Sequence, residues 1–138
     1  MKKIYKSLGL MSGTSGDGID ASIISSDGSN NYEEISNEYF QYDQHIYDKI
    51  HFLKAKINNK YDLRKNQNDI DDLEKEITLF HAKAVNQIIK NTNIDLIGFH
   101  GQTIYHNASE KISKQIGNAK LLSQLTKKTL FIILEIMI

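Results

Sequence analysis

The residues best suited to chemistry lie in one short stretch near the amino end, residues 9–20, which reads Gly-Leu-Met-Ser-Gly-Thr-Ser-Gly-Asp-Gly-Ile-Asp. Glycines allow a tight turn and a close approach of the backbone to an anion, and successive N–H groups at such a turn form an anion-binding concavity. Thr14 and Ser15 add hydroxyl donors, while Asp17 and Asp20 carry hard oxygen atoms of the kind that hold Mg²⁺. The stretch therefore predicts a loop that binds the phosphates and the metal of a nucleotide.

An ordinary β-turn is the alternative for the same stretch, because Gly, Ser and Asp also supply positive φ angles or local side-chain hydrogen bonds. Two common phosphate loops are excluded. There is no Gly-Lys-Ser/Thr ending, and no helix pattern follows, as the dinucleotide-binding turn would require. Ile19, Ala21, Ile23 and Ile24 instead indicate a second strand. Turn chemistry alone leaves a phosphate loop and a plain hairpin turn about equally open.

A second candidate group follows residues 94–99, a short apolar run typical of a buried parallel strand. His100, Gln102 and Thr103 come directly after it, at the carboxyl end of the predicted strand, where ligands bind in open α/β sheets. A simple turn at the strand end explains the same residues equally well. Of the other histidines, three fall within helical patterns, where a structural role is favoured, and one lies in a polar loop; they are His45, His51, His81 and His106.

Three segments, in order along the chain, resemble the anhydro-N-acetylmuramic acid kinase family. They are residues 9–20, residues 98–104 (Gly-Phe-His-Gly-Gln-Thr-Ile) and residues 115–126, where Gln-Ile-Gly-Asn leads into a helical pattern. A strand, a glycine-rich hairpin and a second strand also resemble the phosphate-binding arrangement of the actin-like sugar kinase and Hsp70 superfamily. One departure is Gly16, where the family usually carries leucine; the glycine removes an apolar anchor and loosens the loop.

The resemblance implies a fold. We expect an α/β protein, the N-terminal lobe of an actin-like ATPase (ribonuclease H-like) fold, with a mixed sheet, an antiparallel β-meander and flanking helices. Residues 1–138 are expected to form this one lobe, with the C-terminal lobe absent. We expect that a shift of reading frame, entering at residues 134–138, truncated a longer kinase.

The resemblance also implies a reaction. ATP with Mg²⁺ supports hydrolysis of the 1,6-anhydro ring of anhydro-N-acetylmuramic acid and phosphorylation of O6, which gives N-acetylmuramic acid 6-phosphate in peptidoglycan recycling. The aspartate that serves the family as base corresponds to no position here, so we assign no catalytic residue and expect the chain to be inactive alone. The alternatives are a non-catalytic nucleotide- or sugar-binding remnant and a domain with only an interaction role.

The site residues implied by the resemblance form three groups. Asp17 is expected to hold the metal. The sugar is expected to contact His100, Gln102, Thr103 and Asn118. The nucleotide is expected to contact the hairpin, namely Gly13, Thr14, Ser15, Gly16, Asp17, Gly18, Ile19 and Asp20.

Composition limits the other classes of function. The 138 residues are 40% hydrophobic and 25% charged, and seventeen basic residues balance seventeen acidic ones, so nothing favours nucleic acid or a membrane as partner. The absence of cysteine excludes disulfides and thiolate metal sites. No apolar run is long enough for a membrane span, and no signal peptide is recognisable. We therefore expect a cytoplasmic protein. The resemblance implies ATP and an amino sugar as its partners, and the resembled family is often homodimeric.

The elements that must position these groups follow from periodicity. Three strands, at residues 3–11, 19–25 and 32–42, are expected to form an antiparallel meander at the edge of a sheet. Apolar spacing predicts helices over residues 46–57, capped by Asp43, and 70–88, capped by Asn68 or Asp69. After the strand at 94–99, residues 107–114 read as a loop or ribbon, residues 118–126 as a short helix and residues 129–138 as a last strand.

Overall fold

The computed structural model of the chain describes residues 3–133. This part holds six strands and four helices, which confirms the predicted α/β class. The elements in chain order are β1 (Tyr5–Ser12), β2 (Gly18–Ser26), β3 (Tyr32–Gln41), α1 (Gln44–Lys56), α2 (Lys60–Lys65), α3 (Gln67–Ile88), β4 (Leu96–Asn107), β5 (Ile112–Ile116), α4 (Ala119–Thr126) and β6 (Thr129–Ile132). The predicted last strand is seen as β6, and its predicted continuation over residues 134–138 lies outside the described residues.

The six strands form one mixed sheet with the order β3-β2-β1-β4-β5, and β6 also pairs with β4. β2 pairs antiparallel with both β1 and β3, as the predicted edge meander requires. β4 is parallel to β1 on one side. On its other side, residues 96–99 of β4 pair parallel with β6, and residues 102–107 pair antiparallel with β5. The hairpin between β1 and β2 therefore lies beside the middle of β4.

The prediction that the fourth strand ends at residue 99 is wrong. β4 continues to Asn107, so the residues expected just after its end lie within it. The strand carries one extra residue here, because Leu10 pairs with Phe99 while Ser12 pairs with Gln102. Gly101 lies in this bulge with a φ of +86°. Before the bulge β4 pairs with β6, and after it β4 pairs with β5. Residues 107–114, predicted as a loop or ribbon, belong to the antiparallel ribbon of β4 and β5 and include the turn that joins these two strands.

The helices begin at identifiable residues. Asp43 caps α1, as predicted, by accepting a hydrogen bond from the amide of Ile46 at 2.9 Å. The predicted cap of the long helix is wrong, because α3 begins at Gln67 directly after the short helix α2, which was not predicted. Asn66 ends α2 and precedes α3, and its side chain donates back to the carbonyl of Asp62. In the described part of the chain, no helix has the length and apolarity needed to cross a membrane.

The helices cover one face of the sheet. Alternate strand residues point into this layer and are buried, among them Leu8, Leu10, Ile19, Ile23 and Ile97, and they meet the apolar stripes of α1 and α3. The residues between them in sequence are half-buried or exposed. The β1–β2 hairpin emerges at one end of this core, where Ile50 and His51 of α1 lie beside Gly16.

Candidate functional site

The loop between β1 and β2 is a tight turn whose tip faces solvent. The amide of Gly16 donates to the carbonyl of Gly13 at 3.3 Å, and the amide of Tyr42 donates to the carbonyl of Asp17 at 2.9 Å. The first bond closes the turn, and the second ties its far end to the chain that leaves β3. The exposed loop residues are Gly13, Thr14, Ser15 and Asp17.

Gly16 is the buried point of this loop. Its φ is +66°, and a Cβ added there would lie 2.9 Å from Cγ2 of Ile50 and 3.3 Å from Nε2 of His51. Both the backbone conformation and the lack of space require glycine at this position. The side chains of Ile50 and His51 thus occupy the space that a side chain at position 16 would need.

Two carboxylates follow the turn. Asp17 and Asp20 are exposed, and Asp20 pairs with Tyr39 across β2 and β3. Desolvation raises the pKa of the Tyr39 hydroxyl, and the charges of Asp17 and Asp20 raise it further, which places both carboxylates within electrostatic reach of one phenol. Asp17 also lines an open depression of about 400 Å³ together with Gln41, Tyr42, Gln44 and Tyr47. This end of the sheet is therefore negatively charged and open to a cation.

The second candidate segment meets the loop directly. Ser12, at the end of β1, is paired with Gln102 in β4, and Gln102 Nε2 donates to the carbonyl of Gly13 at 2.8 Å. An open depression of about 230 Å³ lies between the loop and β4, and its lining includes Thr14, Lys54 and Thr103. The two motifs, which are about ninety residues apart in sequence, thus share one surface.

Lys54 brings a positive charge to this depression. Its Nζ donates to the carbonyl of Thr14, so the ammonium group of α1 lies against the loop. Sequence reasoning missed this residue, because a lysine in the last turn of an amphipathic helix has no local signal that separates it from a solvated one. An ammonium group beside a glycine-rich turn attracts the same anionic groups that the turn would bind.

The four residues predicted to bind sugar do not share one environment. Thr103 is buried but borders the depression beside Lys54. Gln102 is fully buried, and its amide donates to the carbonyls of Gly13 and Thr103. His100 is half-buried, with Nδ1 3.2 Å from the carbonyl of Gly101. Asn118 caps α4 by accepting from the amide of Leu121, on a different surface lined by α3 and α4 residues.

A fully buried histidine lies beneath the loop. His81 of α3 has its Nε2 3.2 Å from Oγ of Ser12. Burial lowers the pKa of His81 to about 4, and the hydrogen bond of its ring to the backbone at Ile77 offsets this only in part. The ring is therefore neutral at physiological pH. Its position in a helical pattern gave no sign of a link to the loop.

A comparison with known families shows the family of the whole chain. The family model described as anhydro-N-acetylmuramic acid kinase matches residues 5–133. The chain belongs to this kinase family. Relatives that carry the same name are 60% identical over 130 residues in Pelagibacter ubique (strain HTCC1062) and 35% identical over 134 residues in Agrobacterium fabrum (strain C58 / ATCC 33970).

The match extends over most of this chain but not over most of its relatives. It covers 93% of the chain for the Pelagibacter kinase and 91% for the Agrobacterium kinase, and 35% of the length of each relative. The chain thus spans about a third of the anhydro-N-acetylmuramic acid kinases that it matches. The six-stranded mixed sheet with flanking helices agrees with the N-terminal lobe of an actin-like sugar kinase.

The residues present fit the nucleotide and metal that a kinase family implies. The turn is tight at Gly16, its residues 13–15 are exposed to an approaching anion, and Nε2 of His51 beside Gly16 is buried and has no hydrogen-bond partner among residues 3–133. No cluster of three or more His, Asp or Glu side chains within that range could hold a metal by itself. Mg²⁺ usually keeps several waters and takes one or two carboxylates plus phosphate oxygens, so Asp17 and Asp20 suit it only together with a bound nucleotide.

Proposed function

We propose that this chain binds ATP with Mg²⁺ on the β1–β2 loop and forms part of a kinase that opens the 1,6-anhydro ring of anhydro-N-acetylmuramic acid and phosphorylates O6. The observation that carries the proposal is the hydrogen bond from Gln102 to the carbonyl of Gly13, which fixes the glycine-rich loop and the His-Gly-Gln-Thr segment at one end of the sheet. A phosphate donor and its acceptor must meet at one place, and this bond brings together the two segments proposed to hold them.

The proposed roles follow the geometry of each residue. The backbone and hydroxyls of residues 13–20 hold the phosphates, Asp17 holds Mg²⁺ together with phosphate oxygens, and Lys54 adds a positive charge at Thr14. Thr103 and His100 remain the proposed contacts to the sugar. The geometry gives no support to direct contact by Gln102, whose amide is used internally, or by Asn118, whose side chain caps α4.

We propose that the complete reaction uses residues that this chain does not contain. The chain spans about a third of its relatives, and none of its residues is assigned as the base that activates water. We propose that the chain is one lobe of the kinase, inactive without the remaining two thirds, and that it works in the cytoplasm with ATP and an amino sugar as its partners. The short span also supports the second candidate, a lobe that binds nucleotide or sugar without turnover.

Calorimetric titration of the 138-residue chain with ATP, with and without Mg²⁺, tests the nucleotide site. Asp17→Asn is expected to weaken ATP binding about tenfold with Mg²⁺ present, because it removes a charged ligand. Without Mg²⁺ the same variant should bind ATP no more weakly than wild type, since the lost carboxylate repels phosphate. Asp72→Asn is the matched control, because Asp72 is an exposed carboxylate on α3.

Lys54→Met tests the other side of the loop, with Lys83→Met as the control from the exposed surface of α3. Lys54→Met should weaken ATP binding severalfold in both conditions. Absence of binding at millimolar ATP, or equal effects of Asp17→Asn and Asp72→Asn, would contradict the proposed site.

To separate the two candidate functions, the remaining two thirds of the Pelagibacter relative is added and phosphorylation of the anhydro sugar is followed by ³¹P NMR. Binding of ATP without formation of the phosphorylated product would favour the non-catalytic lobe.

A further inference from the structure

A set of buried polar side chains beneath the loop joins α3, β4 and the start of the loop. Its members are each at most 3% exposed, namely Ser12, Tyr42, His81 and Gln102. Buried polar groups are costly unless every donor and acceptor is satisfied. The hydrogen positions in this set can therefore be deduced from what each partner can accept.

His81 is fixed as a hydrogen-bond acceptor toward the loop. Its Nδ1 lies 2.8 Å from the carbonyl of Ile77, and a carbonyl can only accept, so Nδ1 carries the proton of the neutral ring. Nε2 is then unprotonated and accepts from the hydroxyl of Ser12 at 3.2 Å. The ring is also held edge-on against Phe99, with centroids 5.2 Å apart. The orientation of the Ser12 hydroxyl is thus set by a residue of α3.

Gln102 is fixed in the same way from the other side. Its Nε2 donates to the carbonyls of Gly13 at 2.8 Å and Thr103 at 2.9 Å, so its oxygen must face the opposite direction. There it accepts from the hydroxyl of Tyr42 at 2.9 Å. The Tyr42 hydroxyl also lies 3.3 Å from Oγ of Ser12, which links the two halves of the set.

We propose that His81, Tyr42 and Gln102 are positioning residues for the phosphate-binding loop, which hold Ser12 and the carbonyl of Gly13 in the conformation that receives a nucleotide. The proposal rests on the proposed function, because it gives the loop the role of binding phosphate. Gln102 then serves the neighbouring loop instead of the sugar. None of the three side chains touches the ligand; each acts through Ser12 or Gly13.

The proposal predicts a specific spectroscopic signature. Long-range ¹H–¹⁵N NMR of the labelled chain should show His81 as the Nδ1–H tautomer, and this signal should be lost in His81→Leu. Exchange of the Gly16 amide, which closes the turn by donating to Gly13, should become about tenfold faster in His81→Leu, because the lost acceptor leaves the Ser12 hydroxyl without its partner. His81→Gln retains an acceptor oxygen near the position of Nε2, and it should restore slow exchange to within about threefold of wild type.

Thr78→Val is the matched control. Thr78 is fully buried on α3 one turn before His81, but it bonds to the carbonyl of Glu74 and to the amide of Asn118, away from the loop. This variant should lose stability without changing loop exchange or ATP affinity. If His81→Leu fails to fold, Tyr42→Phe supplies the same test, since it removes the donor to Gln102 and keeps the ring that packs against Phe80.

The readouts separate this proposal from the proposed function. If wild type binds ATP with Mg²⁺, His81→Leu should weaken that binding about tenfold and His81→Gln should recover most of it. If wild type does not bind ATP, the proposed function fails, while loop exchange still reports on positioning. An Nε2–H tautomer, or loop exchange in His81→Leu and Tyr42→Phe no faster than in Thr78→Val, would overturn the positioning role.

Discussion

The conformation of Gly16 gives a direct test of how the loop is built. Gly16→Ala places a Cβ on a backbone with φ of +66° and within 2.9 Å of Cγ2 of Ile50. The left-handed conformation costs an L-residue roughly 1–2 kcal/mol. Ile50 is fully buried in the core and has little room to yield, so the close contact adds about 1 kcal/mol or more. We expect Gly16→Ala to lower the free energy of unfolding by about 2–3 kcal/mol.

Gly13→Ala is the matched control from the same loop. No heavy atom lies within 4 Å of a Cβ added at Gly13, and Gly13 is not among the glycines with positive φ. Its free energy of unfolding should stay within about 0.5 kcal/mol of wild type. Urea unfolding followed by circular dichroism at constant temperature measures both variants. Equal stabilities of Gly16→Ala and Gly13→Ala would refute the claim that the loop is anchored against α1 at residue 16.

A double-mutant cycle locates the source of the cost. Ile50→Ala removes the methyl group that the new Cβ would meet, although it also leaves a cavity in the core. The cost of Gly16→Ala should therefore be smaller by about 1 kcal/mol in the Ile50→Ala background than in wild type. The remaining cost reports the backbone conformation alone. Additive costs would show that the side-chain contact contributes nothing.

Two further predictions concern stability. The pKa of His81 is lowered from 6.5 to about 4 in the folded chain, so the stability that its neutral ring contributes is complete above pH 6.5 and is lost as the pH falls toward 4. Between pH 7 and pH 4.5, wild type should lose about 2.5 kcal/mol more of its free energy of unfolding in urea than His81→Gln. Equal losses in the two proteins would contradict a buried neutral imidazole. Asp43→Ala removes the N-cap of α1 and should cost about 1 kcal/mol, whereas Asp48→Ala, on the exposed side of the same helix, should cost less than about 0.5 kcal/mol by the same assay.

The sequence predicted the strands and long helices well where the pattern is local. Alternation and a turn cluster define the meander, and apolar spacing defines α1 and α3. The length of β4 was not predictable in this way, because His100 and Gly101 read as a turn, whereas in the sheet Gly101 forms a bulge that the strand passes through. α2 was missed because it is six residues long and has no buried residue, so it produces no apolar period.

The loop was also predictable, because its glycines and carboxylates are local signals, but its supporting residues were not. On α3, Phe80 is only partly buried, whereas its neighbour His81, four residues after Ile77, is fully buried. A histidine on such a face is usually a satisfied core residue. Only the tertiary packing of α3 under β1 shows that its partner is Ser12.

We expect the proposed nucleotide site of this chain to bind ATP weakly, although its loop is well supported. The loop is held from below by His81 and Gln102 and from the side by Ile50, so binding a phosphate does not have to order it first. In the proposed site, however, the exposed tip would contact a phosphate group from one side only, and the described residues place one lysine, Lys54, against the tip. Preorganisation lowers the cost of binding but adds no contacts. The affinity for ATP should therefore be limited by the contacts that the rest of a full-length kinase supplies, and adding that part should raise affinity without changing amide exchange in the loop.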